Sequence, residues 1–368
     1  MEFTANEFGY ALVILALVFA AASLIRRHTG ILRRLFIPTA VIGGFVALAL
    51  GPEGIGHIGN NNGVFADRTF AVWVYLPGLL INVMCASLLL GEKLPPLPEI
   101  WKISGSHVIF AGVMSFGQYA IGGICALLIL GPAFNLTDKS AVLIEMSFAG
   151  GHGTLAGLTP VLEQYNASEL LEIGLGLATI GMVTGIVIGT MLVNFAVKSP
   201  KIPIARDRPA DPSENYDIDK HTVIREDEKM SGDKGMAQVT AAAVFLGVSI
   251  ALGMVLLWIM RQIFGWFGSD FFEMFPLFPF TIIGGVLVQL AATKWDFEWA
   301  VNREAVQGLG GVAVDGIVIC AIGTLSLSAL GDQIGPLLVL AVASVLWSVA
   351  VTLVIGPRLF TKDWFEHS

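Results

Sequence analysis

Nine apolar runs, each of a length that crosses a bilayer, confine what this chain can fold into. A helix spanning the hydrocarbon needs about 17–25 predominantly apolar residues. Such runs occupy 8–25, 35–51, 69–91, 103–131, 170–197, 237–260, 277–293, 305–330 and 334–356. In lipid every backbone polar group must be satisfied internally, so runs of this length predict helices. The expected fold class is an all-α polytopic membrane protein. Charge follows the same division: of 21 Lys and Arg and 29 Asp and Glu, 17 lie between Lys198 and Lys234. That stretch also carries Pro200, Pro203, Pro209 and Pro212, which predicts a solvated, mostly irregular linker over 198–236.

The same composition narrows the function classes. No basic patch interleaved with aromatics occurs, which argues against nucleic acid as a partner. Cys85, Cys125 and Cys320 all fall inside apolar runs and read as small buried hydrophobes, without a disulfide or metal framework. Positive charge follows the first apolar run instead of preceding it, so a cleaved signal peptide is not expected.

Orientation follows from the loop cations, because cytoplasmic loops collect Lys and Arg. With the N-terminus outside, 18 of the 21 fall on the cytoplasmic side, and only Arg68, Lys139 and Arg261 remain opposite. This partition requires the apolar segment 140–158 to enter and leave on one face as a re-entrant hairpin. A full crossing there would reverse every later loop.

Two spans repeat a pattern. Phe36-Ile37-Pro38-Thr39-Ala40-Val41-Ile42-Gly43-Gly44 matches Leu277-Phe278-Pro279-Phe280-Thr281-Ile282-Ile283-Gly284-Gly285 at an offset of 241. The offset roughly persists where Ser87–Gly91 lies opposite Leu327–Gly331. An odd number of crossings separates the matched spans, so the second half is expected upside down relative to the first. Inverted repeats of this kind belong to the plan of secondary transporters. The expected division is an N-terminal repeat at 1–197, the linker at 198–236 and an inverted repeat at 237–368.

The segment Glu145-Met146-Ser147-Phe148-Ala149-Gly150-Gly151-His152-Gly153-Thr154 carries the chemistry. Three glycines in four residues should break a helix, each costing about 1 kcal/mol relative to alanine. Broken backbone survives at membrane depth only where protein buries it or a watery cavity lines it. The break is expected to leave one helix end before Gly150 and a new helix start after Gly153. Free N–H groups at that start suit a substrate carboxylate, and freed carbonyls with the Ser147 or Thr154 hydroxyls suit a sodium ion. The bland alternative is a glycine-packed hairpin with no ligand. His152 could donate to a substrate oxygen, carry a coupling proton or cap the hairpin. Glu145 and Asp315 are carboxylates at membrane depth, where a charge costs about 2.5–3.5 kcal/mol. Cation coordination and structural pairing both remain open for them. Asn82, Gln118 and His107 have interhelical hydrogen bonding as their default role; Asn82 is a further cation candidate, and Gln118 is the best placed to reach a ligand.

These motifs resemble the bacterial sodium/glutamate symporter family. The resemblance rests on Ile37-Pro38 with Gly43-Gly44, on Gln118-Tyr119-Ala120-Ile121-Gly122, and on the Gly150-Gly151-His152-Gly153-Thr154 hairpin, and it runs from about residue 8 to residue 360. It implies sodium-coupled glutamate uptake across the inner membrane by an elevator-type homodimer, with no cofactor beyond the coupling ion and no enzymatic activity. Substrate-binding residues are expected among Ser147, Gly150, Gly151, His152, Gly153, Thr154 and Gln118; cation ligands are expected among Glu145, Asn82 and Asp315. The residues leave open a sodium- or proton-coupled carrier of another small dicarboxylate or 2-hydroxycarboxylate, or a passive channel. An intramembrane enzyme using Glu145, His152 and Ser147 lacks support, since neither H-E-x-x-H nor G-x-S-x-G occurs. The resemblance also implies a second glycine-rich hairpin and a tenth span. The offset puts that hairpin at about position 390, so the sequence is expected to be a C-terminally truncated member with its second repeat incomplete.

Overall fold

The computed structural model describes residues 4–34, 37–56, 63–65, 67–92, 94–95, 97–198, 232–268, 272–273, 275–327, 331 and 333–360. Most of the expected linker 198–236, together with Lys93 and Lys362 of the charge partition, lies outside these residues. The described residues are mostly helical, with no strand among them.

The long helices are α1 (Ala5–His28), α2 (Thr39–Leu50), α3 (Asp67–Ser87) and α4 (Leu97–Cys125). Then come α5 (Gly151–Gln164), α6 (Leu170–Lys198), α7 (Gly232–Trp266), α8 (Phe278–Lys294), α9 (Arg303–Gly323) and α10 (Ile334–Val354). Wider turns carry α2 on to Gly56, and α4 continues to Phe134. Eight of these helices are long and apolar enough to cross a membrane, and α8, with 17 residues, sits at the short end of the spanning range. The protein is a multi-pass membrane protein.

Local sequence explains the helix ends. Thr4 caps α1: its Oγ1 accepts from the Glu7 N–H, and its own N–H donates to Glu7 Oε2 at 2.8 Å. Arg26, Arg27 and His28 close the same helix, where cations suit the negative end of the dipole. Large apolar side chains such as Phe116 and Leu128 point outward at 78% and 71% exposure. On a soluble protein such a belt would aggregate; here it meets hydrocarbon.

At the centre α3 packs along α9. Around that pair the contacts are reciprocal: α2 packs on α9 and α8 on α3, while α1 packs on α2 and α7 on α8. Glycines permit the approach, because without a hydrophobic driving force between helices in lipid, close van der Waals packing must hold them. A Cβ on Gly44 of α2 would fall 2.6 Å from Ile322 Cβ of α9, and one on Gly285 of α8 would fall 2.7 Å from the Ala86 carbonyl of α3. The two Ile-Gly-Gly motifs therefore serve the same task against opposite members of the central pair. Trp73 on α3 is fully buried and its Nε1 donates to the Ala11 carbonyl of α1 at 3.0 Å. Backbone cannot yield as a flexible side chain can, so Gly285→Ala is expected to destabilise the fold by about 1–3 kcal/mol. Unfolding in mixed SDS micelles measures this against Gly308→Ala, whose Cβ would meet nothing within 4 Å.

Candidate functional site

The site is built from one glycine-broken segment. After Phe134, Asn135 takes a left-handed conformation (φ 54°) and its N–H closes the helix on the Gly131 carbonyl. A tight turn at Asp138–Val142 and wide π-type turns at Ile144–Ala149 form the first arm. The chain breaks at Gly150 and Gly151, and α5 forms the second arm. Lys139 Nζ donates to the Tyr165 carbonyl, and its ammonium lies 6.0 Å from the Tyr165 ring centroid. The two ends of the segment thus sit side by side, and at the break His152 is buried while Ala149 and Gly150 are exposed. At about 1.5 Å per residue each arm is long enough to reach about two thirds of the way through a hydrocarbon core of about 30 Å.

One detail of the break differs from the sequence expectation. The new helix starts at Gly151, three residues before Thr154, the expected start after Gly153. A single left-handed glycine is enough: Gly151 has φ +72°, which non-glycine residues rarely adopt. Gly153 is then an ordinary helical residue whose smallness serves packing. A Cβ there would lie 3.3 Å from Ile81 Cδ1 of α3 and 3.6 Å from Ile317 Cδ1 of α9. The first turn of α5, with the N–H groups of residues 151–154, therefore abuts the α3–α9 crossing. At Gly151 itself a Cβ would meet nothing within 4 Å, so the tip has open space beside it.

His152 is 2% exposed, and its Nε2 lies 3.0 Å from Thr179 Oγ1 on α6. Thr179 spends its own hydroxyl hydrogen on the Leu175 carbonyl at 3.0 Å. Its oxygen is left to accept, and this network assigns the ring hydrogen to His152 Nε2. In a neutral ring Nδ1 is then a lone-pair acceptor, and it is buried with no partner among the described residues. Ser147 Oγ is fully buried and also unpartnered, lying against the bare face of Gly174. Gln118 on α4 is 1% exposed with its Oε1 unpartnered. Buried polar atoms without a protein partner are uncommon, and each calls for an ordered water, an ion, a ligand or local strain to account for it.

The cation candidates are less convergent. Glu145, on the first arm, accepts from the Tyr119 hydroxyl of α4 at 2.9 Å. Asn82 donates to the Gly78 carbonyl within α3, leaving Oδ1 buried and free. Asp315 is half-buried on α9, two residues from Ile317. Ser147, Gly150, Gly151, His152, Gly153 and Thr154 lie within eight residues of chain around the break, and Glu145, on the first arm, is tied to α4 through Tyr119, while Gln118 is buried on α4 one residue before Tyr119. Asn82 lies on α3 and Asp315 on α9, the helices that wall the tip. Among the described residues no group of three or more His, Cys, Asp or Glu could hold a metal ion. Sequence reasoning missed Thr179 and Tyr119; their partners lie 27 and 26 residues away, and neither spacing carries a pattern.

A membrane helix assembly built around a glycine-broken hairpin with unpaired buried acceptors suits a carrier. Comparison with known proteins specifies which kind. The family model described as sodium/glutamate symporter matches residues 6–365. The chain belongs to the sodium/glutamate symporter family. Among curated members, the sodium/glutamate symporter of Haemophilus influenzae is 26% identical over 371 residues, covering 99% of this chain and 83% of the relative. The sodium/glutamate symporter of Escherichia coli is 25% identical over 338 residues, covering 90% of this chain and 76% of the relative. No solved structure matches.

Proposed function

We propose that this symporter-family chain is a secondary active transporter that carries glutamate across the bacterial inner membrane together with sodium. The observation that carries the reading is the hairpin tip: first-turn amides of α5 beside open space, next to a buried His152 with an unpartnered acceptor. The amides of residues 151–154 hold a substrate carboxylate at the positive end of the helix dipole. The Nδ1 lone pair of His152 accepts from the substrate ammonium. Ser147 Oγ, the Gln118 amide and backbone carbonyls freed at Gly150 offer the hard oxygens a dehydrated sodium ion needs. Glu145, Asn82 and Asp315 supply charge or oxygen ligands on the surrounding walls.

The whole-chain reading places the N-terminus outside and the linker 198–236 in the cytoplasm, supported by the 18-to-3 partition of cations. Residues 1–197 and 237–368 are read as inverted halves, supported by the reciprocal packing of α2 on α9 and α8 on α3. The functional unit is read as a homodimer.

Uptake of radiolabelled glutamate into proteoliposomes tests the function: saturable uptake is expected with external sodium and near-background uptake when choline replaces it. Equal uptake in both media would remove the coupling. The His152 anchor gives a second expectation. Thr179→Val deletes the acceptor for Nε2–H, leaving a buried donor unsatisfied at about 1–3 kcal/mol, and should raise the half-saturating glutamate concentration about tenfold. Thr179→Ser, which keeps the hydroxyl, should remain close to wild type in the same assay.

A further inference from the structure

The C-terminal end of α3 is held by an arginine from the other half of the chain. Arg303, the first residue of α9, donates through Nη1 to the carbonyls of Ser87 and Leu90 at 2.7 and 2.8 Å. Its Nη2 donates to the Leu88 carbonyl at 3.0 Å, and its Nε lies 2.9 Å from Glu92 Oε1. These carbonyls lie at a helix end, where intrahelical partners run out, and the planar fork of a guanidinium can reach several of them at once. The turn is shaped for the purpose. Gly91 has φ +84°, a Cβ there would press on Arg303 Cα and Cβ at 3.1 Å, and the Gly91 N–H donates to Gln289 Oε1 of α8 at 2.7 Å.

A helix end pinned this firmly matters because α3 contains Pro77. Proline removes one intrahelical hydrogen bond and weakens the helix at that point. The segment beyond Pro77 therefore has a weak joint at one end and the Arg303 clamp at the other. That segment bears Gly78 and Ile81, which pack against α5 near Ala156 and Gly153. It also bears Asn82.

We propose that Arg303 is a positioning residue: by clamping the end of α3 to the start of α9, it fixes the wall on which the first turn of α5, and hence the hairpin tip, is seated. The consequence for transport rests on the symport reading above; the consequence for the hairpin does not. Arg68 begins α3 much as Arg303 begins α9, but it faces Glu7 at 3.5 Å with its side chain 58% exposed. Such surface pairs contribute little, which makes Arg68 the control.

The test compares wild type, Arg303→Lys and Arg68→Lys in nanodiscs by hydrogen exchange, and in proteoliposomes by glutamate kinetics. Lysine keeps the charge but cannot span three carbonyls. Arg303→Lys should speed exchange of the amides of residues 155–159 about tenfold, and raise KM for glutamate about tenfold with little change in maximal rate per folded carrier. Gly91→Ala should loosen the same amides to a smaller degree, which keeps the test available if Arg303→Lys folds poorly. Arg68→Lys should match wild type in both measurements. Faster exchange confined to residues 84–92, with residues 155–159 unchanged, would overturn the proposal and leave Arg303 as a local helix cap. A wild type that takes up no glutamate would instead overturn the symport reading, while the exchange arm still decides the role of Arg303.

Discussion

Gly151→Val should abolish sodium-driven glutamate uptake, by at least about a hundredfold, while the protein still inserts and migrates as a folded species. The loss comes from backbone and not from crowding. Gly151 sits at φ +72°, and a Cβ on it would meet nothing within 4 Å. A left-handed conformation costs an ordinary L-residue about 1–2 kcal/mol, and a β-branched one more. The tip is expected to relieve that strain by shifting, and a misplacement of about 1 Å at a binding constellation can cost about a hundredfold in rate. The same cause predicts an order of tolerance. Gly151→Asn should retain the most uptake because asparagine visits the left-handed region more readily, Gly151→Ala should be intermediate and Gly151→Val lowest. Uptake normalised to folded protein, measured for the three variants in parallel, checks the order. A series ranked by side-chain volume alone would contradict the backbone cause, because asparagine is larger than alanine.

His152→Leu should raise KM for glutamate about thirtyfold to a hundredfold. Leucine fills the 2%-exposed space but removes the Nε2–H bond to Thr179 and the Nδ1 acceptor together. An acceptor facing a charged donor contributes about 1.5–3 kcal/mol, about tenfold to 150-fold, and the expected change lies within those bounds. The direction of the hydrogen bond makes the prediction specific to the amino group. With the Thr179 hydroxyl donating to Leu175, the Nδ1 of a neutral His152 is an acceptor, and the proposed contact is to the substrate ammonium. Glutarate, which lacks the ammonium, should compete with glutamate uptake about equally poorly in wild type and in His152→Leu. A glutarate inhibition constant that worsens in step with KM for glutamate would assign His152 to a carboxylate instead.

The extent to which this was legible in the sequence divides along a physical line. Spans were legible because bilayer thickness imposes a length on apolar runs. Even the 17 residues of α8 stood out, since Pro279 and Gly284-Gly285 mirror Pro38 and Gly43-Gly44. The hairpin was legible because helix-breaking glycines are costly in the places they occur. The first arm ends before Gly150 as expected, but the restart was misplaced by three residues, because any of three glycines could take the positive φ and only the packing of Gly153 against Ile81 and Ile317 reserves that role for Gly151. The polar partners were not legible. Thr179 looks like any hydroxyl that back-bonds within an apolar helix, and it does so to Leu175 while also serving His152. Arg303 counted only as a loop cation, although it clamps carbonyls 213 to 216 residues earlier. Such pairings depend on tertiary geometry and leave no local periodicity. Glu145 was visible as a costly intramembrane carboxylate, but the hydroxyl that accompanies it, Tyr119, was not.

The central claim is that sodium and glutamate bind the same hairpin tip and favour one another. Calorimetric titration of the purified carrier with glutamate, in sodium and in choline at equal ionic strength, tests this without requiring transport. Sodium should tighten glutamate binding by about 5–150-fold, and glutamate should tighten sodium binding by the same factor, because coupling is reciprocal. A glutamate affinity that is the same in sodium and in choline would contradict the account.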